Sequence, residues 1–122
     1  MLSFTDDEAE DILRALVEEG YVDDARFAGA YVRDKARFSR WGEVKIAYNL
    51  KMLGIQASVI RIALEENAEL FGEDVLLDLL QKRWRQMKEN DSLEVKRQKL
   101  LRFALGRGYG YGQIMDAIKG FR

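Results

Sequence analysis

The chain has 122 residues, no proline, cysteine or histidine, and a formal net charge of −1. These absences exclude disulfides, zinc–thiolate and iron–sulfur sites, and imidazole acid–base or metal chemistry. A chain of this length holds one ordinary domain or a short repeat array, and without proline its helices can run uninterrupted.

The spacing predicts a first helix over about 6–19. Thr5 and Glu8 have capping-box spacing, acids fill the first turn, and Ala9, Ile12, Leu13, Leu16 and Val17 recur every three to four residues. Gly20 reads as its stop, and Asp23 or Asp24 as the cap of a second helix whose apolar face is Phe27, Ala28, Tyr31 and Val32. A third helix covers about 41–53, turning Val44, Ile46, Ala47, Leu50 and Leu53 inward, with Gly54 in a left-handed turn before Ile55. A fourth, about 57–67, buries Val59, Ile60, Ala63 and Leu64. A fifth follows the 69–73 connection, runs to about 87 and presents Val75, Leu76, Leu79, Leu80, Trp84 and Met87. Asn90, Asp91 and Ser92 form a turn and cap before a sixth helix, about 93–105, with Leu93, Leu100, Leu101, Phe103 and Ala104 apolar. The glycine-rich stretch 106–112 breaks the chain before a last helix, about 111–120, carrying Ile114, Met115, Ala117 and Ile118. No alternating strand pattern of useful length occurs.

The chain repeats itself. Ile46, Leu50, Gly54, Ile55, Ile60, Ala63 and Leu64 align without a gap with Leu100, Ala104, Gly108, Tyr109, Ile114, Ala117 and Ile118, at a constant offset of 54. Ala28, Tyr31, Val32, Lys35, Ala36 and Arg37 align with Leu76, Leu79, Leu80, Arg83, Trp84 and Arg85 at an offset of 48, and Leu13, Leu16 and Val17 match Ile60, Ala63 and Leu64 at an offset of 47. The predicted fold is therefore all-α: three-helix repeats stacked in tandem into an elongated, curved array around one continuous apolar spine. Residues 1–22 read as the last helix of a partial first repeat, 23–68 as the second repeat and 69–122 as the third.

Charge is unevenly spread. Residues 1–24 carry a net −8, residues 33–51 a net +4 and residues 82–107 a net +6. The cations Arg33, Lys35, Arg37, Arg40, Lys45 and Lys51, with Lys82, Arg83 and Arg85 one unit later, are the candidate contacts for a partner or for DNA. In stacked units the two basic clusters should lie along one side. Phe38 and Trp41 sit among them and read as core or hinge packing.

Catalysis finds little support. The glycine run lacks the Lys–Ser/Thr and the preceding strand of a phosphate loop, and reads as a helix stop and turn. The paired acids Asp6/Glu10, Asp7/Asp11 and Asp23/Asp24 occupy helix starts. None of Ser3, Thr5, Ser39, Ser58 and Ser92 lies in a nucleophile elbow. We expect no enzyme, no cofactor, no metal and no small-molecule substrate. No segment reaches the roughly 20 apolar residues of a membrane helix, so the expected setting is soluble and cytoplasmic.

The string Gly20-Tyr21-Val22-Asp23-Asp24-Ala25-Arg26-Phe27-Ala28, followed by Tyr31-Val32-Arg33, Lys35, Arg37, Trp41-Gly42, Lys45-Ile46, Leu50 and Gly54-Ile55, resembles the RecX family. Arg107-Gly108-Tyr109 with Ile114 and Ile118 resembles that family's last repeat. The resemblance implies a curved repeat array lying in the groove of the RecA nucleoprotein filament. It implies modulation, usually inhibition, of filament growth, ATPase, strand exchange and coprotease functions; some members also bind DNA. It also implies that the family's N-terminal helices are absent here, and Asn49 stands where members often carry Glu. A stand-alone helical DNA-binding module stays open beside this reading.

Overall fold

The computed structural model describes residues 6–122, apart from the side chains of Asp6, Asp7, Ala9, Leu13 and Leu16. In chain order its elements are α1 (Asp6–Arg37), α2 (Glu43–Met52), α3 (Ala57–Glu66), a 3-10 turn (Ala68–Phe71), α4 (Glu73–Arg85), α5 (Leu93–Arg107) and α6 (Tyr111–Ile118). Among the described residues there is no strand, and no helix is long and apolar enough to cross a membrane.

The first two predicted helices are one. Gly20 stays right-handed inside α1, and positive φ among the glycines is confined to Gly54 and Gly108. A helical glycine costs about 1 kcal/mol relative to alanine. Breaking the helix there would strand carbonyls on one side and amides on the other. Asp23 and Asp24 therefore lie in a helix interior and cap nothing. The capping box proposed at Thr5 lies outside the described residues.

The later stops behave as expected. At Gly54 (φ 88°) the Ile55 amide donates to the Leu50 carbonyl at 3.1 Å and the Gly54 amide to that of Lys51 at 3.0 Å. At Gly108 (φ 93°) the Tyr109 amide donates to Ala104 at 3.2 Å and the Gly108 amide to Leu105 at 3.0 Å. Both are Schellman turns, and they fall at the 54-residue offset. Ser92 caps α5 as predicted, its hydroxyl accepting from the Val95 amide at 3.2 Å.

The paired core positions are buried in both units: Ile46, Leu50, Ile55, Ile60 and Ala63 in one, Leu100, Ala104, Tyr109, Ile114 and Ala117 in the other. Ala28 and Val32 of α1 match Leu76 and Leu80 of α4, all fully buried. The chain is a helical repeat array, but its interior is not the single spine expected. One core gathers α1, α2, α3 and Phe71; the other gathers α4, α5, α6 and Phe121. The units are joined instead through turns and helix ends.

Several residues expected inside are exposed. Val44 lies two residues before Ile46, about 200° round the helix from the buried stripe. Leu53 is the C-cap of α2, its amide still bonded to the Asn49 carbonyl at 3.1 Å, and is 58% exposed at the end of the helix. Ile12 and Val17 lie toward the amino end of α1, where α3 reaches no further than its first turn, Gln56 and Val59. Phe27 and Leu93 are also exposed, Phe27 resting against Tyr31 with ring centroids 5.8 Å apart.

Candidate interaction surface at the joint between the units

The carboxyl end of α5 meets the amino end of α2. The Gly42 amide donates to the Arg107 carbonyl at 2.7 Å, and the Val44 amide to the Gly108 carbonyl at 2.9 Å. Free amides of one helix thus satisfy free carbonyls of another, and the opposite partial charges of the two ends attract. The approach requires glycine on both sides. A Cβ on Gly42 would stand 2.6 Å from the Gly108 oxygen, and one on Gly108 would collide with the Lys45 side chain.

Around this backbone contact the turn from Phe38 to Gly42 is held from several directions. The Phe38 amide donates to Asp34 at 2.9 Å and the Trp41 amide to Lys35 at 3.0 Å. Arg107 Nη1 reaches across to donate to the Ser39 carbonyl at 2.8 Å. Arg40 takes a left-handed conformation (φ 57°), uncommon for a residue with a side chain, and its Nη2 donates to Asp78 Oδ2 on α4 at 3.0 Å. Lys82 Nζ meets the same oxygen at 3.1 Å. Hydrogen bonds from Lys82 and then Arg40 hold the Asp78 carboxyl below the usual carboxylate range.

Two aromatic rings are each flanked by two cations. Lys35 and Lys45 place their Nζ atoms 4.9 and 4.6 Å from the Trp41 ring, and Lys45 also donates to the Gly106 carbonyl at 3.2 Å. Arg83 and Arg107 sit 5.1 and 5.2 Å from the Phe103 ring. Lys35 and Arg83 occupy corresponding places in the two units. Three sets of contacts meet at the joint: Lys35 and Lys45 about Trp41, with Lys45 also on the Gly106 carbonyl; Arg83 and Arg107 about Phe103; and Arg40 and Lys82 about Asp78. Six cations and one carboxylate thus form a seam across the joint.

Of the predicted contact residues, Lys35, Arg40, Lys45, Lys82 and Arg83 come together there. Arg33 lies along α1 over Gly29, Arg37 is exposed at the end of α1, Arg85 is exposed at the end of α4, and Lys51 edges a separate groove between α2 and α3. The sequence reading missed Arg107, Phe103 and Asp78. One signal is the repeat itself: Arg107 stands where the first unit has the exposed Leu53, a cation in place of an apolar residue. It also misplaced Phe38, which is 82% exposed rather than packed in a hinge.

Residues 23–64 match the family described as RecX, second three-helix domain, and residues 72–118 match RecX, third three-helix domain. The regulatory protein RecX of Clostridium acetobutylicum is 33% identical over 115 residues, covering 90% of this chain and 52% of that protein. That of Chromohalobacter salexigens is 34% identical over 113 residues, covering 92% and 70%. The crystal structure of RecX from Lactobacillus salivarius matches with a TM-score of 0.69 at 25% identity, covering 94% of this chain and 74% of that one. The chain spans about half the length of the clostridial relatives it matches. With two adjoining three-helix units matched in order and a relative covered over most of its length, the chain belongs to the RecX family of regulatory proteins.

Proposed function

We propose that this protein binds the RecA nucleoprotein filament and modulates RecA, in the inhibiting direction, during cytoplasmic DNA repair and recombination. Family membership supplies the regulatory class, and RecA as partner rests on the resemblance read in the sequence. The observation that carries the surface is the gathering of six cations in a seam at the joint. A surface fixed before binding loses little conformational entropy on association. The seam acts by occupancy: it holds the filament and needs no chemistry of its own.

A filament supports this better than bare DNA as the target. The acidic amino-terminal part of the chain, with a net −8 over residues 1–24, repels a bare phosphate backbone, and the chain as a whole carries no cationic excess. Added to RecA on single-stranded DNA, the protein should lower the rate of ATP hydrolysis in proportion to its occupancy. An unchanged rate at saturating protein removes the proposal.

A further inference from the structure

We propose that the groove between α2 and α3 is a second docking site, one that takes a short peptide segment of a protein partner in which an apolar side chain is flanked by carboxylates. The groove has a volume of about 450 Å³, with Ile55 and Ile60 at its floor, Tyr48 on its wall, and Lys51 and Arg61 at its edges. It continues into an apolar stripe on the outer face of α2. Val44, Tyr48 and Met52 follow one another at intervals of four residues and are 60, 62 and 67% exposed. Residues four apart share one helix face, so three such side chains form a single patch and not scattered exposure.

The second unit acts as an internal control. It folds the same way on the same core positions, yet Gln98, Arg102 and Gly106 stand where Val44, Tyr48 and Met52 stand in the first unit. Leu105 and Met115 replace Lys51 and Arg61. The fold requires neither the apolar stripe nor the cationic edges, because it forms without them 54 residues later.

Charge decides the occupant. Lys51 has no ion pair among the described residues, and Arg61 has only an exposed pair with Glu65 at 3.3 Å, both side chains more than 60% exposed. Such a pair is weak and exchanges readily with a better-placed carboxylate. Two cations beside an apolar slot fit one apolar side chain with acids around it. A nucleic acid strand would leave the stripe unused and find only two phosphate contacts. The site is separate from the seam and does not depend on the filament proposal.

The test is selection from a phage-displayed library of random twelve-residue peptides on the full chain, followed by fluorescence anisotropy with the best labelled peptide. Enriched peptides should carry Asp or Glu beside Leu, Ile or Phe. Binding should weaken at least tenfold in Lys51→Glu/Arg61→Glu and in Tyr48→Arg, which installs the second unit's residue, with helicity by circular dichroism unchanged. Arg102→Ala, at the matching place in the second unit, should bind as wild type does. The proposal is overturned by no enrichment, by basic consensus peptides, by binding that survives the charge reversal, or by binding lost instead in Lys82→Glu/Arg83→Glu. A labelled oligothymidylate that binds wild type and is released by Tyr48→Arg would also overturn it. RecA enters none of these measurements, so failure here and failure of the filament proposal are distinguishable.

Discussion

Three glycines allow the joint to be weighed against backbone strain. Gly54 and Gly108 share a left-handed φ, but a Cβ on Gly54 meets nothing within 4 Å, whereas one on Gly108 collides with Lys45. Gly42 has an ordinary φ of −86° and a blocked Cβ position. Gly54→Ala therefore measures strain alone, about 1–2 kcal/mol for an L-residue in this region. Gly42→Ala measures the joint alone. To make room it must release the bonds from the Gly42 and Val44 amides, each worth about 0.5–1.5 kcal/mol, for a loss of roughly 1–3 kcal/mol. Gly108→Ala incurs both, roughly 2–5 kcal/mol. Urea unfolding followed by circular dichroism should rank the variants in that order, with Gly108→Ala close to the sum of the other two. Near-ultraviolet signals from Trp41 should change in Gly42→Ala and Gly108→Ala only. Equal losses for Gly54→Ala and Gly108→Ala would show that the helix-end contact contributes nothing.

Arg40→Gly should change stability little in the same assay, because relief of the left-handed backbone offsets the loss of a partly exposed ion pair. Burial pushes the Tyr109 phenol above its ordinary range, an effect that Arg40 reduces and Glu43 reinforces. Its contribution is therefore complete below about pH 10 and lost as pH rises past that value. Unfolding midpoints above pH 10 should fall more steeply for wild type than for Tyr109→Phe. Asp78 titrates in the opposite sense: held low by Lys82 and Arg40, it supports the joint above its unfolded value near 4 and ceases to as pH falls beneath it. Asp78→Asn should remove that part of the acid-side slope in urea midpoints measured from pH 2.5 to 6.

The contrast among glycines shows how much of the fold local sequence carries. Gly20-Tyr21, Gly54-Ile55 and Gly108-Tyr109 are the same local signal, an apolar residue after glycine at the end of a periodic stretch. The last two stop their helices and the first does not. Ile55 and Tyr109 are buried in their cores, while Tyr21 is 44% exposed. The turn forms where tertiary burial rewards the residue after it, and no local window reports that burial. The repeat itself was readable because burial is periodic and both units keep their inward positions. The two separate cores were not, because neither offset says whether neighbouring units share side chains or meet at helix ends.

The site was readable in part for the same reason. Lys35 and Arg83 were paired by the repeat and both lie over aromatic rings. Asp78 and Arg107 join them through contacts 38 and 68 residues apart in sequence, and Phe103 meets Arg83 across α4 and α5, which composition and spacing do not encode. Cation clusters in the sequence also merged surfaces that the fold separates, as with Lys51 and Lys45 on different sides of α2.

The most direct measurement is binding of the protein to RecA filaments on single-stranded DNA, compared between wild type and Lys82→Glu/Arg83→Glu. Both positions are on the exposed side of α4, so the fold should persist. Losing two attractive charges and gaining two repulsive ones should weaken binding by about tenfold or more, equivalent to about 1.4 kcal/mol, and less so at high salt. Filament affinity that is the same for both proteins, with both fully helical, would contradict the claim that the seam at the joint is the gripping surface.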